Sequence, residues 1–176
     1  MQDAEALSRW IERKLAQRPR RAAELVVEVR DPRNLTRPEH EALVERCRRS
    51  NMAIYASRAN GDPAAMLQRV AWQLGLRTPD VPFLTAKSGV ARIAVDARKA
   101  AGGFIPYTSR RMLWHTDGYY NAPARPVRSM LLHCVRDAPM GGETALLDPE
   151  LAWLMLLEAG PQFVRALMEP DALAIP

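Results

Sequence analysis

Leu113-Trp114-His115-Thr116-Asp117-Gly118-Tyr119-Tyr120-Asn121 sets an imidazole and a carboxylate two residues apart. On an extended strand, positions i and i+2 point to the same face. The spacing therefore predicts that His115 and Asp117 reach one metal ion together while Thr116 faces away. A nitrogen and an oxygen donor suit the facial triad of two histidines and one carboxylate, which leaves open positions on a non-haem iron(II). The tripeptide His-x-Asp also recurs by chance in many chains, where it is a polar pair bonded locally at a strand end. Its neighbours decide between the two.

Working outward, the segment lies in a region of short strands and proline- and glycine-rich loops that begins near Thr78. Residues 90–96 read as a strand, and Gly102-Gly103-Phe104-Ile105-Pro106-Tyr107 leads into the His-x-Asp segment. Residues 130–135 and 143–147 are further strand candidates. Towards the N-terminus the pattern is helical. Residues 3–17 carry Leu7, Trp10, Ile11 and Leu15 on one stripe, with Pro19 as the stop. Residues 24–30 are β-rich, and Thr36-Arg37-Pro38-Glu39 has capping-box spacing for a helix to about Arg49. A strand at 51–57 follows, then a helix opened by Asp62-Pro63, with Gly75 where a C-cap falls. Asp148-Pro149-Glu150 opens a helix through Leu157, and residues 161–168 form one more. Helices first and many short strands afterwards predict an α+β fold or a mainly β one, a β-barrel or jelly roll decorated with N-terminal helices.

Composition bounds the remaining choices. A length of 176 residues with 48% hydrophobic and 26% charged residues predicts one soluble domain. Within it, residues 1–77 form a helix–strand part and residues 78–176 a partial jelly-roll core. The N-terminus is acidic and lacks the order of a signal peptide, which with the absence of a long apolar run predicts a cytoplasmic protein. Cys47 and Cys134 form no Cys-x-x-Cys and read as reduced, buried thiols. The net charge of +5 comes largely from arginines in the N-terminal third, without interleaved aromatics or a glycine-rich loop. That pattern favours a solvated face or attraction for anionic metabolites over nucleic-acid binding. No membrane partner is expected.

Trp114-His115-Thr116-Asp117-Gly118-Tyr119-Tyr120-Asn121, followed by Met130-Leu131-Leu132-His133 and by Gly141-Gly142-Glu143-Thr144 and Asp148, resembles the taurine dioxygenase (TauD/TfdA) family of iron(II)- and 2-oxoglutarate-dependent oxygenases. The similarity is clearest over residues 104–148. It implies an incomplete double-stranded β-helix and the cofactor set Fe(II), 2-oxoglutarate and O2. It implies His115 and Asp117 as iron ligands and Thr144 as the threonine that hydrogen-bonds 2-oxoglutarate. A strand threonine presents its hydroxyl to a carboxylate, which suits this role. Tyr107, Arg111, Tyr119 and Asn121 flank the ligands and are expected to line the pocket of a small-molecule substrate. No catalytic residue beyond the metal ligands is expected, and strand alternation turns Glu143 away from Thr144. The reaction implied is oxidative decarboxylation of 2-oxoglutarate coupled to hydroxylation of an aliphatic C–H.

The family also has a distal histidine ligand and an arginine for the far carboxylate of 2-oxoglutarate, and neither is found in this chain. Besides His115 there are only His40 and His133. His40 shares a helix face with apolar residues and reads as a packed histidine, and so, within its strand, does His133. A site completed by His133, as in a cupin-like metal protein, is a more remote alternative. The chain thus resembles the N-terminal part of such an enzyme. Weak iron binding by the isolated chain is expected, together with self-association or a completing second chain. The other reading, from a different functional class, is a catalytically inactive binding or assembly remnant of the family.

Overall fold

The first helix, α1 (Gln2–Gln17), turns one side of its apolar stripe inward, and Trp10 meets Trp153 edge-to-face with ring centres 6.0 Å apart. We describe the fold from a computed structural model that covers residues 2–80, 89–118, 120–170 and 172. The chain divides into two compact units. One comprises Met1–Gly61 with Cys134–Pro176, and the other is Asp62–His133.

In the first unit, a single 3-10 turn (Ala22–Leu25) leads into β1 (Val26–Glu28), which pairs in parallel with β2 (Ile54–Ala56) in the register Val26–Ile54, Val27–Tyr55 and Glu28–Ala56. Parallel strands need a crossover, and α2 (Arg37–Ser50) provides it. The expected capping box is present. The Thr36 hydroxyl accepts from the Glu39 amide, and the Glu39 carboxylate accepts from the Thr36 amide at 2.6 Å. Asn51 ends the helix in the left-handed conformation (φ 56°), which asparagine tolerates better than most residues. Leu25, Val27, Val29, Leu43, Leu154 and Val164 are buried in this unit. The helices α5 (Pro149–Ala159) and α6 (Pro161–Leu167) complete it.

A polar junction ties three of these helices. Lys14 Nζ lies 2.6 Å from Asp148 Oδ2, pairs with the Glu150 carboxylate, and donates to the Arg49 carbonyl at 3.1 Å. The Asn51 amide reaches the same two carboxylates, each at 2.9 Å. Asp148 is also the N-cap of α5, accepting from the Glu150 amide.

The second unit holds α3 (Pro63–Gln73), capped by Asp62, and α4 (Ala97–Ala101), capped by Asp96. Sequence reading had no helix at α4. Asp96 was the expected end of a strand, and instead its carboxylate accepts from the Arg98 and Lys99 amides. A 3-10 turn, Ile105–Tyr107, follows, with the Asp96 amide donating to the Tyr107 carbonyl at 2.9 Å.

The expected mainly β core is not what the described residues form. They are mixed in character, with several helices and one two-stranded sheet. Residues 90–96, 130–135 and 143–147 are not strands. A strand exists only where its amides and carbonyls find a neighbouring strand, and among the described residues these segments have none. Their apolar side chains stay in solvent: Val95 is 74% exposed and Val135 70%. Among the described residues, no helix is long and apolar enough to cross a membrane.

Candidate metal centre

The segment that carries His115 and Asp117 belongs to the second unit, has no regular secondary structure and enters a turn at Asp117–Gly118. The expected strand is absent, yet the two side chains converge. His115 Nε2 lies 3.6 Å from Asp117 Oδ1, with both groups close to half-exposed. Two donors on one ion, each bound at about 2.1 Å, stand no more than about 4.2 Å apart, so this separation admits a shared ion. The other ring nitrogen, His115 Nδ1, is 2.7 Å from the Leu113 carbonyl. A proton on Nδ1 satisfies that carbonyl and leaves the Nε2 lone pair directed towards Asp117, the arrangement that metal-bound histidines commonly use. The donor chemistry therefore fits a first-row divalent metal such as iron(II) at two positions.

A third donor is not assembled. Among the described residues, no three histidine, cysteine, aspartate or glutamate side chains come together as a metal-binding group. His133 does not join the pair.

The turn after Asp117 is built from close contacts. Gly118 has φ of 72°, and a Cβ there would lie 2.3 Å from Val127 Cγ2, so only glycine fits without displacing that side chain. The Asn121 amide nitrogen of the backbone donates to the Gly118 carbonyl at 2.9 Å. Its side-chain amide donates to Asp80 Oδ2 at 3.0 Å and to the Arg125 carbonyl at 3.1 Å. Arg125 Nη2 donates to Asp80 Oδ1 at 2.9 Å.

The expected pocket residues take different places. Tyr107 is buried at 5% exposure, with the Lys99 ammonium 4.1 Å from its ring centre. Arg111 is exposed, as are its apolar neighbours Leu113 and Trp114. Asn121 is half-buried, and its side-chain amide donates to the distant Asp80 carboxylate and to the Arg125 carbonyl. Tyr119 lies outside the described residues. Thr144 belongs to the first unit, where it is exposed just beyond Gly141 and Gly142, whose φ values are 71° and 83°.

The spacing of His115 and Asp117 signals that their side chains can approach, but nothing in the sequence signals Asp80. That carboxylate is 41 residues from its partner Asn121, and no local pattern announces it. The two thiols, expected to be buried, are both exposed, and neither shows a sign of activation. Desolvation raises Cys47, and the hydrogen bond to Asp137 raises Cys134.

Residues 13–175 match the family model described as "Taurine catabolism dioxygenase TauD, TfdA family". A curated protein from Amycolatopsis sp, named uridine-5'-phosphate dioxygenase, is 26% identical over 163 residues, which cover 85% of this chain. The match spans 58% of that relative's length. No solved structure matches at a significant level.

Proposed function

The chain belongs to the TauD/TfdA dioxygenase family, and from that premise we propose that His115 and Asp117 hold the iron(II) of a 2-oxoglutarate-dependent oxygenase acting on an aliphatic C–H of a small molecule. One observation carries the reading: the imidazole Nε2 and the carboxylate Oδ1 face each other at 3.6 Å, with the far side of the ring fixed on the Leu113 carbonyl. When bound, iron(II) with 2-oxoglutarate would supply the activation of O2 and the oxidising power for C–H cleavage. The chain's own contribution is positional. Leu113 orients the ring, Asp117 supplies the anionic donor, and the Thr144 hydroxyl donates to a carboxylate of 2-oxoglutarate. Tyr107, Arg111, Tyr119 and Asn121 are the residues assigned to the substrate in this reading.

An anionic substrate suits the chain's net positive charge. The relative's name makes uridine-5'-phosphate the first compound to try. We further read the segments at 90–96, 130–135 and 143–147 as strands of a double-stranded β-helix, formed when further polypeptide covers them. The exposed Val135, Met140, Leu146 and Leu147 support this, since apolar side chains left in water favour association. That polypeptide would bring the third ligand and the partner for the distal carboxylate of 2-oxoglutarate. Within residues 1–176, iron binding is accordingly weak. The second reading is a catalytically inactive binding or assembly remnant of the family.

Anaerobic titration with iron(II) and 2-oxoglutarate separates the two. The oxygenase reading expects a metal-to-ligand charge-transfer band that disappears in His115→Ala. No band, even after supplying the C-terminal part of a relative, would leave the remnant reading standing.

A further inference from the structure

We propose that Asp80 is a positioning residue for the His115–Asp117 pair, acting through Asn121 and Arg125. The inference rests on the metal-centre reading above. Asp117 is covalently followed by Gly118, whose carbonyl receives the Asn121 backbone amide at 2.9 Å. The orientation of the Asp117 carboxylate therefore depends on where the 117–121 turn sits. Asp80 fixes that turn from outside it. One carboxylate oxygen receives the Asn121 side-chain amide at 3.0 Å, and the other receives the Arg125 guanidinium at 2.9 Å.

The two arms differ in weight. The Arg125 side chain is 73% exposed, and an ion pair so open to water contributes little on its own. The amide arm is different, because Asn121 is half-buried and its second hydrogen goes to the Arg125 carbonyl at 3.1 Å. That bond closes the loop between residues 121 and 125, where the Arg125 amide also donates to the Ala122 carbonyl at 2.8 Å. Beneath it, Gly118 sits against Val127 with no room for a side chain. Loop, glycine seat and carboxylate anchor together leave the turn one arrangement. Groups that hold a ligand-bearing turn in this way commonly alter metal affinity by about 10-fold or more when removed.

The test uses the full chain and Mn(II), whose paramagnetism broadens NMR signals of nearby rings even when binding is weak. With His40, His115 and His133 as the only histidines, the two others serve as internal references. His115 signals should broaden first in the wild type. Asp80→Ala and Asn121→Ala should each need about tenfold more Mn(II) for the same broadening, with unchanged circular dichroism. Asp80→Asn keeps an acceptor for Asn121 and should recover most of the affinity. If Asp80→Ala fails to fold, Asn121→Ala carries the test, since it leaves the ion pair intact. Wild-type behaviour in both alanine variants overturns the proposal. Asp80→Asn as weak as Asp80→Ala overturns the route through Asn121. A wild type in which His115 broadens no earlier than His40 and His133 overturns the metal reading itself, which Asp80 then has nothing to serve.

Discussion

Lys14, on the first helix, and Asp148, at the start of α5, form a buried ion pair with Nζ and Oδ2 2.6 Å apart and each side chain 5% exposed. The pair joins the two separate stretches of chain that make up the first unit. Burying two charges costs desolvation energy, and here further bonds offset it: the Arg49 carbonyl on Lys14 and the Asn51 amide on Asp148.

Removing the cation alone leaves a buried carboxylate. Lys14→Met is expected to destabilise the chain by about 3 kcal/mol in urea unfolding. Adding Asp148→Asn should restore part of that loss. A single variant within experimental error of the wild type would show that the pair is not buried in solution.

The same lysine predicts an alkaline limit. Burial lowers its pKa, but the hydrogen bonds and charges of Asp148 and Glu150 outweigh that and hold it above the usual 10.5. The native state thus binds this proton more tightly than the unfolded chain. Its stabilisation is complete below pH 10.5 and is lost as pH rises through the native value. Thermal unfolding midpoints should fall faster above that pH in the wild type than in Lys14→Met. Parallel pH curves would contradict it.

At the acid end, the Arg30 amide, the Thr36 hydroxyl and the Thr36 amide hold Glu39 below its ordinary value of 4.5. This contribution is present above that pH and is lost as pH falls through the lower native value. Glu39→Gln should flatten the decline in helix signal on acidification. Thr36→Ala, which removes the N-cap of α2, should cost about 1 kcal/mol at neutral pH.

Gly118→Ala tests the seat of the ligand-bearing turn. An added Cβ meets Val127 Cγ2 at 2.3 Å in a backbone conformation that disfavours side chains. His115 should lose its preferential broadening by Mn(II), and pairing with Val127→Ala should recover some of it. Undiminished broadening in the single variant would show that the turn does not govern the ligand pair.

Three helix starts were legible because capping is a local event, although the same kind of cap at Asp96 was not recognised. Thr36, Asp62 and Asp148 each bond amides two or three residues ahead and are followed by a proline in the first helical turn. The β1 and β2 segments were legible as well, although the reading made each longer than the three residues observed. The three later segments carry the same β-rich composition and form no strand among the described residues. Composition does not supply a partner, and the missing hydrogen bonds are non-local. In the site, Tyr107 shows the same limit. Its place in sequence put it near His115 and Asp117, while its burial against Lys99 is a fact of packing.

What the sequence by itself determined was the caps, the helices they start, and the two-residue spacing that lets His115 and Asp117 approach at all. These depend on contacts within a few residues. Only the tertiary structure decided that Lys14 meets Asp148 and that Asp80 holds Asn121, because such partners are distant along the chain and become neighbours only once the backbone has closed between them.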